Sequence, residues 1–542
     1  MDEVLDATKS LRPASYAFRL CYASAKAPVE GNVQSSLSLQ NLALALGVTA
    51  ASWALREHSH IHKSGPRRVS SIKCLRPISV ASDMAAAQDS LFLWRHSQKL
   101  QQAWGPSQGG GYLDALFSVL IIILLGQLCL GHDHVLFLAF ADQESAFDVA
   151  SRNDMRAAFF EAGVVGRSWL LFDDLLLRDS CRIKLGALVS DFFSLSDGTG
   201  QGRRISIQAY NATAKFLHDL VGSHSNGVAV PESGLRVTDV QFVDDFVAPA
   251  SSPAQVKRIW TACHTFSRTH GPRFRIGKDK TALMPVGKAA LADIADANKL
   301  GEASPPVVSV YPYLGVLLDC SFGMGLHLQC CLSKGRAAFE KFHRAASAAD
   351  VPLSFQSFGV LSRVVPACSY GLALCVGCPT AEAELNKLQA DLARTLLRIH
   401  QRRHGPQAIV TVELGWTKRL GSLMTEEAAM LLARVFVQSP DLPARCLLEV
   451  GLQSHVSSWT NDALQAMRKP PHAIPPVWEV LPAECLAAAS SGSADERRKV
   501  VRHYRDQWVR PALAARDNDA YTLHAATLAS GRTCPSSRSL AH

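Results

Sequence analysis

The pattern of apolar and polar positions divides the chain into a central block and a later, mainly helical part. From Lys73 to Asp319, short apolar runs of strand type alternate with segments of helical periodicity, and turn residues separate them. Beyond Asp319 the sequence becomes rich in Ala, Leu, Lys and Arg at helical spacing. We therefore expect an α+β unit followed by a helical one.

Acidic residues stand where two apolar segments of the central block end. The run VLFLAFAD, from Val135 to Asp142, predicts a strand that ends on a carboxylate. The segment LRVTDVQFVDDFVAPASS predicts two strands that meet in a tight turn at Asp244 and Asp245. Between these segments, CRIKLGALVSDFFSLSDGTGQG predicts a hairpin that leads into a Gly-rich turn, and RRISIQAYNATAKFLHDLVG predicts an amphipathic helix.

One segment, Leu116 to Gly131, is almost uninterrupted apolar sequence (LFSVLIIILLGQLCLG) and could suggest a membrane span. It falls short of the roughly 20 residues that a spanning helix needs, and it lies between Asp114 and a His-Asp-His cluster. We expect a buried core helix here, and a membrane anchor is the alternative.

Composition and charge place only wide bounds on function. A chain of 542 residues with 48% hydrophobic and 19% charged residues can bury a large core and form more than one folding unit. The net charge of +9 permits a nucleic-acid partner without requiring one. The 14 cysteines lack regular spacing and the opening MDEVLDATKS is acidic, which favours an intracellular protein over a secreted, disulfide-linked one.

The acids at Asp142, Asp244 and Asp245 suggest a cation site, because like charges brought together need neutralising. Two divalent ions about 3.5–4 Å apart could activate an attacking hydroxyl and stabilise a leaving oxygen. Hard Mg²⁺ prefers such oxygen ligands. An Asp pair in a turn is nevertheless ordinary, since Asp favours turns and solvent. The surrounding motifs must therefore decide between a metal site and a solvated turn.

Several motifs, in a fixed order, resemble those of the reverse transcriptases of non-LTR (LINE-type) retrotransposons. FADQESAFD (140–148) matches F-x-D-x-x-x-A-F-D, GTGQGRRIS (198–206) matches G-x-x-Q-G-x-x-x-S, and FVDD (242–245) matches the aromatic-x-D-D box. Weaker matches are Arg76-Pro77-Ile78-Ser79, Phe274-Arg275-Ile276 with Lys280-Thr281, Tyr313-Leu314-Gly315, and VPACSYG at 365–371. The resemblance covers about Lys73 to His400, and group II-type maturases are the nearest competing family.

The resemblance implies a right-hand polymerase with α+β architecture. Fingers and a palm with an antiparallel catalytic sheet would occupy 67–319, a helical thumb 320–440, and a helical, partly disordered tail 441–542, after a poorly ordered leader at 1–66. The implied activity is RNA-directed DNA polymerisation, in which dNTPs are added to a primer 3′-OH. Its implied partners are an RNA template, a DNA primer and two Mg²⁺ ions, with Mn²⁺ as an alternative. A nuclear location and no membrane association are also implied.

The resemblance also assigns roles to single residues. Asp142 and Asp244 would bind both metals, while Asp245 would be an auxiliary ligand or would only orient the turn. Phe147 occupies the position of a steric gate that rejects ribonucleotides at the sugar C2′, and a core Phe at a helix start is the alternative.

Four further residues would contact nucleotide or template. Gln201 and Gly202 would face the incoming nucleotide and template, although a tight hairpin exit explains them equally well. Arg76 would clamp a triphosphate or template phosphate, and Lys280 would approach the phosphates as a proton donor or counter-charge. Both could instead be solvated surface groups.

Departures from the family pattern leave a second hypothesis open. Ala141, Gln143, Val243 and the Arg203-Arg204 pair replace residues more usual in the family, and no endonuclease or ribonuclease H region is recognisable. None of these changes removes a metal ligand. The alternative to an active polymerase is therefore a catalytically inactive nucleic-acid-binding remnant of a retroelement with the same fold.

Overall fold

The computed structural model describes residues 39–49, 55–62, 75–81, 83–104, 108–109, 115–185, 187–231, 233–287, 294–399, 414–416 and 418–529. Helices and mainly antiparallel sheets alternate in the first part of this range, which confirms the α+β composition expected from the sequence. The strands are β1 (Leu55–His62), β2 (Leu75–Ala81), β3 (Gln108–Gly109), β4 (Leu136–Glu144), β5 (Ser180–Leu185), β6 (Leu188–Val189), β7 (Phe193–Ser194), β8 (Val228–Ala229), β9 (Arg236–Val237), β10 (Val240–Phe242), β11 (Asp245–Ala250), β12 (Arg273–Phe274), β13 (Ala282–Val286), β14 (Val310–Tyr313) and β15 (Val316–Asp319).

Helices surround these strands and form most of the later part of the chain, as its spacing predicted. Residues 360–364 and 505–509 are π-helical, and Leu372–Gly377 is a 3₁₀ helix. The α-helices are α1 (39–46), α2 (Asp83–Trp104), α3 (Ala115–Gly131), α4 (Ala146–Val149), α5 (Arg152–Glu161), α6 (Arg167–Leu177), α7 (Arg204–His224), α8 (Pro253–His270), α9 (Ile294–Ala297), α10 (Gly325–Ala348), α11 (Leu353–Gly359), α12 (Val365–Ser369), α13 (Ala381–Leu396), α14 (Leu420–Phe436), α15 (Pro443–Gln453), α16 (Trp459–Met467), α17 (Val477–Val480), α18 (Ala483–Ser491), α19 (Ala494–Tyr504) and α20 (Arg510–Ala529).

A six-stranded sheet forms the centre of the first part, with the order β12-β4-β11-β10-β3 and with β13 also paired to β4. Strand β4 is buried on both faces because its alternate side chains enter two cores. Leu138 and Phe140 pack in the core that contains α3, whereas Phe137 and Ala139 pack with residues of α7 and α8. This two-sided burial explains why the run reads as continuous apolar sequence.

Helix α3 is the apolar segment that could have suggested a membrane span. Of its 17 residues, those from Phe117 to Gly126 are all buried, and they pack beneath the central sheet. No helix in the described ranges combines the length and the apolarity that membrane crossing requires. The predicted core helix is confirmed.

A second sheet has the order β2-β1-β5-β6, with β7 also paired to β5. The β5–β6 hairpin confirms the hairpin predicted in that segment. Strand β1 runs parallel to β5 and antiparallel to β2, and it lies within the 1–66 segment that we expected to be a leader. Its sequence, LREHSHIH, is too polar to predict a strand, and the pairing arises from backbone hydrogen bonds.

Candidate functional site

The β10–β11 hairpin presents the Asp pair at one end of the central sheet. Phe242 and Asp245 pair directly, so Val243 and Asp244 form a two-residue turn. The tight turn is confirmed, but it lies one residue earlier than predicted, since Asp245 is already the first residue of β11. Val243 has φ 60, a conformation that L-residues, and β-branched ones above all, seldom adopt.

Asp142 lies beside this hairpin because β4 and β11 are antiparallel neighbours. In their register, Asp142 stands directly opposite Asp245. Residues that oppose each other in an antiparallel pair have Cα atoms about 4.5–5.5 Å apart. The side chain of Asp142 is 23% exposed, and Asp244 and Asp245 are half-buried. The fold therefore groups the three predicted carboxylates at one sheet end.

The grouping has an electrostatic consequence at Asp245. Burial raises the pKa of this carboxyl to about 7, and the charges of Asp244 and Asp142 act in the same direction, against the lowering effect of Lys280. Burial and the charges of Asp244 and Asp245 also raise the pKa of the Tyr210 hydroxyl. The site thus concentrates negative charge that a bound cation would neutralise.

Two basic side chains face Asp142 from the segment between β12 and β13. The Nζ of Lys280 is 3.2 Å from Oδ1 of Asp142, and the Nε of Arg275 is 3.9 Å from Oδ2. The Lys280 carbonyl accepts a 2.5 Å hydrogen bond from the hydroxyl of Tyr311. The ring of Tyr311 in turn stacks on Phe140, with centroids 3.9 Å apart. A packed aromatic pair thus holds Lys280 beside the carboxylate.

The donor chemistry of the site suits a hard divalent cation, because Asp142, Asp244 and Asp245 offer only carboxylate oxygens. Burial first, and then the repulsion from Asp244 and Asp142, raises the pKa of Asp245, and such an ion would relieve the repulsion. Across the described ranges, however, no three His, Cys, Asp or Glu side chains are arranged closely enough to form a metal-binding group. In this structure the positively charged Lys280 side chain pairs with the Asp142 carboxylate.

Phe147 lies just beyond β4, in the short helix α4. The chain enters α4 through Ser145, which has the left-handed value φ 52. The Phe147 ring is half-buried and contacts Tyr210 at a centroid distance of 5.1 Å. The hydroxyl of Tyr210 donates to the side-chain carbonyl of Gln143. Phe147 therefore packs against Tyr210 and keeps part of its ring accessible.

The Gly-rich loop that contains Gln201 and Gly202 is held between α4 and β2. The N–H of Thr199 donates to the Phe147 carbonyl at 2.7 Å, and the N–H of Ser79 donates to the Gln201 carbonyl at 2.6 Å. Gly202 has φ 117, and a Cβ atom there would lie 2.6 Å from the Ser79 carbonyl oxygen. Only glycine fits this approach of the loop to β2.

The structure thus brings most of the predicted site residues into one region. Lys280 contacts Asp142 directly, and the loop with Gln201 and Gly202 is joined to Phe147 through the backbone. Arg76 belongs to β2, where its backbone pairs with Ile61, but its side chain lies outside the described part of the structure.

Sequence reasoning missed a buried ion-pair network behind the Gly-rich loop. Asp179 accepts hydrogen bonds from Arg56 at 2.6 Å and from Arg152 at 2.5 Å, and all three side chains are at most 6% exposed. The Nε of Arg152 also donates to the Gly198 carbonyl at 2.9 Å. No local pattern marks these residues, because Arg56 and Asp179 are 123 positions apart in the chain.

Comparisons with known proteins add only distant likenesses. No family model matches the chain, and no curated protein matches it. Among solved structures it is similar to apo telomerase from Candida tropicalis, at 12% identity over 82% of this chain and 71% of that one, with a TM-score of 0.39. A C-terminally truncated form of the same telomerase gives 13% identity and a TM-score of 0.34. That match covers 54% of this chain and spans 59% of the other.

A third likeness is to telomerase from Candida albicans in complex with a TWJ fragment of telomeric RNA. The identity is 9%, over 70% of this chain and 68% of that one, with a TM-score of 0.36. No conclusion about fold or activity rests on TM-scores of this size.

Proposed function

We propose that this chain is an RNA-directed DNA polymerase of the non-LTR retrotransposon type, which adds dNTPs to a primer 3′-OH by two-metal nucleotidyl transfer. The observation that supports this proposal most directly is the antiparallel register that sets Asp142 opposite Asp245, next to the turn residue Asp244. The order of the motifs in the sequence predicts that these acids act together. In the β4–β11 pairing, Asp142 and Asp245 lie opposite each other.

In this proposal, Asp142 and Asp244 hold two Mg²⁺ ions, with Mn²⁺ as an alternative, and Asp245 is an auxiliary ligand. The ions supply activation of the primer hydroxyl and stabilisation of the leaving oxygen. Asp245 must lose its proton to become a ligand, and its raised pKa falls once positive charge is present. Lys280, whose Nζ contacts Asp142, would bind a nucleotide phosphate in place of that carboxylate and would protonate the leaving group.

The neighbouring residues would select and position the nucleotide. The accessible part of the Phe147 ring would meet the sugar C2′ and exclude ribonucleotides. Gln201 and Gly202 would face the nucleotide and template from a loop whose backbone is held by β2. Arg76, on the same strand, would bind a triphosphate or template phosphate. The surrounding elements would serve as the fingers and palm, and the helices after Asp319 as the thumb, in a protein that acts in the nucleus.

Primer extension tests this proposal. The full chain is mixed with an RNA template, an annealed DNA primer, dNTPs and Mg²⁺, and the products are separated by size. We expect extension by the wild-type chain, complete loss in Asp244→Ala, and unchanged extension in Asp279→Asn, which alters an exposed acid in the β12–β13 segment. Failure of the well-folded wild-type chain to extend any primer would overturn the proposal.

A second candidate function, an inactive nucleic-acid-binding remnant, is favoured by two observations. Across the described ranges no three His, Cys, Asp or Glu side chains lie closely enough to form a metal-binding group, and Val243 departs from the residue that is more usual in the family that the sequence resembles. This candidate predicts binding of primer–template that Asp244→Ala does not weaken, together with no dNTP incorporation in Mg²⁺ or Mn²⁺. Any incorporation that depends on Asp244 would exclude it.

A further inference from the structure

An arginine-lined cavity lies in the C-terminal half of the chain, apart from the carboxylate site. Its volume is about 480 Å³, and its wall combines α14, the start of α3 and the helix that runs from α19 into the π-helical turn after it. Five arginines line it: Arg434, Arg497, Arg498, Arg502 and Arg505. None of the predicted site residues lines this cavity.

Helical geometry explains why so many arginines meet here. Arg498, Arg502 and Arg505 follow one another at spacings of four and three residues, which places them on one face of the helix. Val501, on the same face, is buried with Val437, the residue that follows α14, and this contact turns that face toward the cavity. Arg434 projects from α14 and covers the ring of Phe117 at 6.0 Å from the ring centre. The wall is thus an apolar floor with a basic rim.

The acids nearest in sequence offset only part of the positive charge of this rim. Within the described part of the chain, no Asp or Glu lines the cavity. Asp495 pairs with Lys499 at 3.2 Å, and Glu496 caps the start of α19 through the N–H of Ser493. Asp506 pairs with Arg505 at 3.0 Å and also with Arg510. Asp506 therefore offsets part of the rim charge, whereas Asp495 and Glu496 bond to groups outside the cavity wall, and the surplus positive charge that remains calls for an anion.

The spacing of the rim indicates what kind of anion would fit. The rise from Arg498 to Arg505 is about 10 Å along a helix that advances 1.5 Å per residue. A chain of regularly spaced phosphates can contact the three arginines one after another along that length. Arginine also presents a planar fork that pairs with phosphate oxygens through two hydrogen bonds. The cavity is concave, which suits a flexible single strand better than a rigid duplex.

We propose that this cavity is a second nucleic-acid site, which binds the phosphate backbone of single-stranded RNA outside the polymerase centre. Helix α19 continues directly into the π-helical segment Arg505–Val509, and such local insertions often mark functional positions in helices. Arg505, the first residue of this segment, lines the same cavity as Arg498 and Arg502. The site goes beyond the proposed polymerase function and does not require the carboxylates.

The test measures binding of a fluorescently labelled single-stranded RNA to the full chain by anisotropy, without dNTPs or divalent ions. The variant Arg498→Glu/Arg502→Glu reverses two exposed rim charges. The control, Lys499→Glu/Lys469→Glu, makes the same charge change at two exposed lysines that do not line the cavity. We expect at least a tenfold loss of affinity in the rim variant and less than a threefold loss in the control. The salt dependence of the binding constant should fall by roughly 1.4 in log–log slope, or about 0.7 for each phosphate that the rim no longer neutralises.

Further measurements separate the proposed ligand from other anions and from the polymerase site. A duplex of the same sequence should bind more weakly than the single strand, and inorganic phosphate should displace RNA more effectively than chloride at equal ionic strength. Asp244→Ala should bind the single strand as the wild-type chain does, so failure of the polymerase proposal leaves this result unaffected. Equal losses in the rim and control variants, or tighter binding of the duplex, would overturn the proposal. Circular dichroism confirms that each variant is folded.

Discussion

Replacing Asp179 by Asn should destabilise the chain strongly, because Asp179 is the shared counter-charge of two buried guanidinium groups. Arg56 and Arg152 are 1% and 4% exposed and bind the same carboxylate oxygen at 2.6 and 2.5 Å. Burial lowers the pKa of both arginines, against the opposing charge of Asp179. Loss of one partner from a buried pair costs about 3–5 kcal/mol, which is a large part of the about 5–15 kcal/mol that stabilises a typical protein.

Urea-induced unfolding, followed by tryptophan fluorescence, measures this cost. The matched control is Asp219→Asn, which removes a half-exposed carboxylate paired with Lys215 one turn away and should cost less than about 0.5 kcal/mol. The double variant Arg56→Met/Asp179→Asn should regain part of the stability, because it also removes one of the two buried guanidinium charges. The other guanidinium group, that of Arg152, keeps its three backbone carbonyl acceptors. A cost below about 1 kcal/mol for Asp179→Asn would refute the reasoning, because a buried pair should cost several times more.

Three further changes test other parts of the structure. Gly202→Ala should lower the melting temperature and raise the KM for dNTPs, because its Cβ would meet the Ser79 carbonyl at 2.6 Å; Gly222→Ala, in open space on α7, should leave KM unchanged. Phe147→Val should increase the ratio of ribonucleotide to deoxynucleotide incorporation, and an unchanged ratio would argue against the gate. Nδ1 of His218 lies 2.7 Å from Oδ1 of the buried Asp239. Burial lowers the pKa of His218, but the hydrogen bond and the charge of Asp239 outweigh this effect, so the pKa of His218 is raised. The wild-type chain should therefore exceed His218→Gln in unfolding free energy most clearly below about pH 6.5, and the difference should shrink as pH rises through the raised pKa.

The parts of the fold that sequence could predict are those with a strong local signal. Strand β4 and helix α3 are long apolar runs, and the hairpin at Val243-Asp244 is marked by turn residues between apolar strands. Strand β1 is polar and pairs through its backbone, so nothing in its own residues predicts it.

The candidate site shows the same division. The acids could be found because their motifs are short and contiguous, and the register of β4 against β11 then brings them together. The partners of Asp179 could not be found, since long-range burial decides which of many arginines becomes its partner. The approach of Lys280 to Asp142 likewise depends on the packing of Tyr311 against Phe140, and these two aromatic residues are far apart in the chain.

In the proposed mechanism, Asp142 and Asp244 support metal-dependent nucleotide addition. The most direct measurement is the rate of single-nucleotide addition to a DNA primer on an RNA template, under single-turnover conditions and across a Mg²⁺ titration. We predict that the rate rises cooperatively with Mg²⁺ in the wild-type chain and falls to background in Asp142→Asn and Asp244→Asn, with Asp279→Asn unchanged. Addition that persists in either variant, or that needs no divalent ion, would contradict the account.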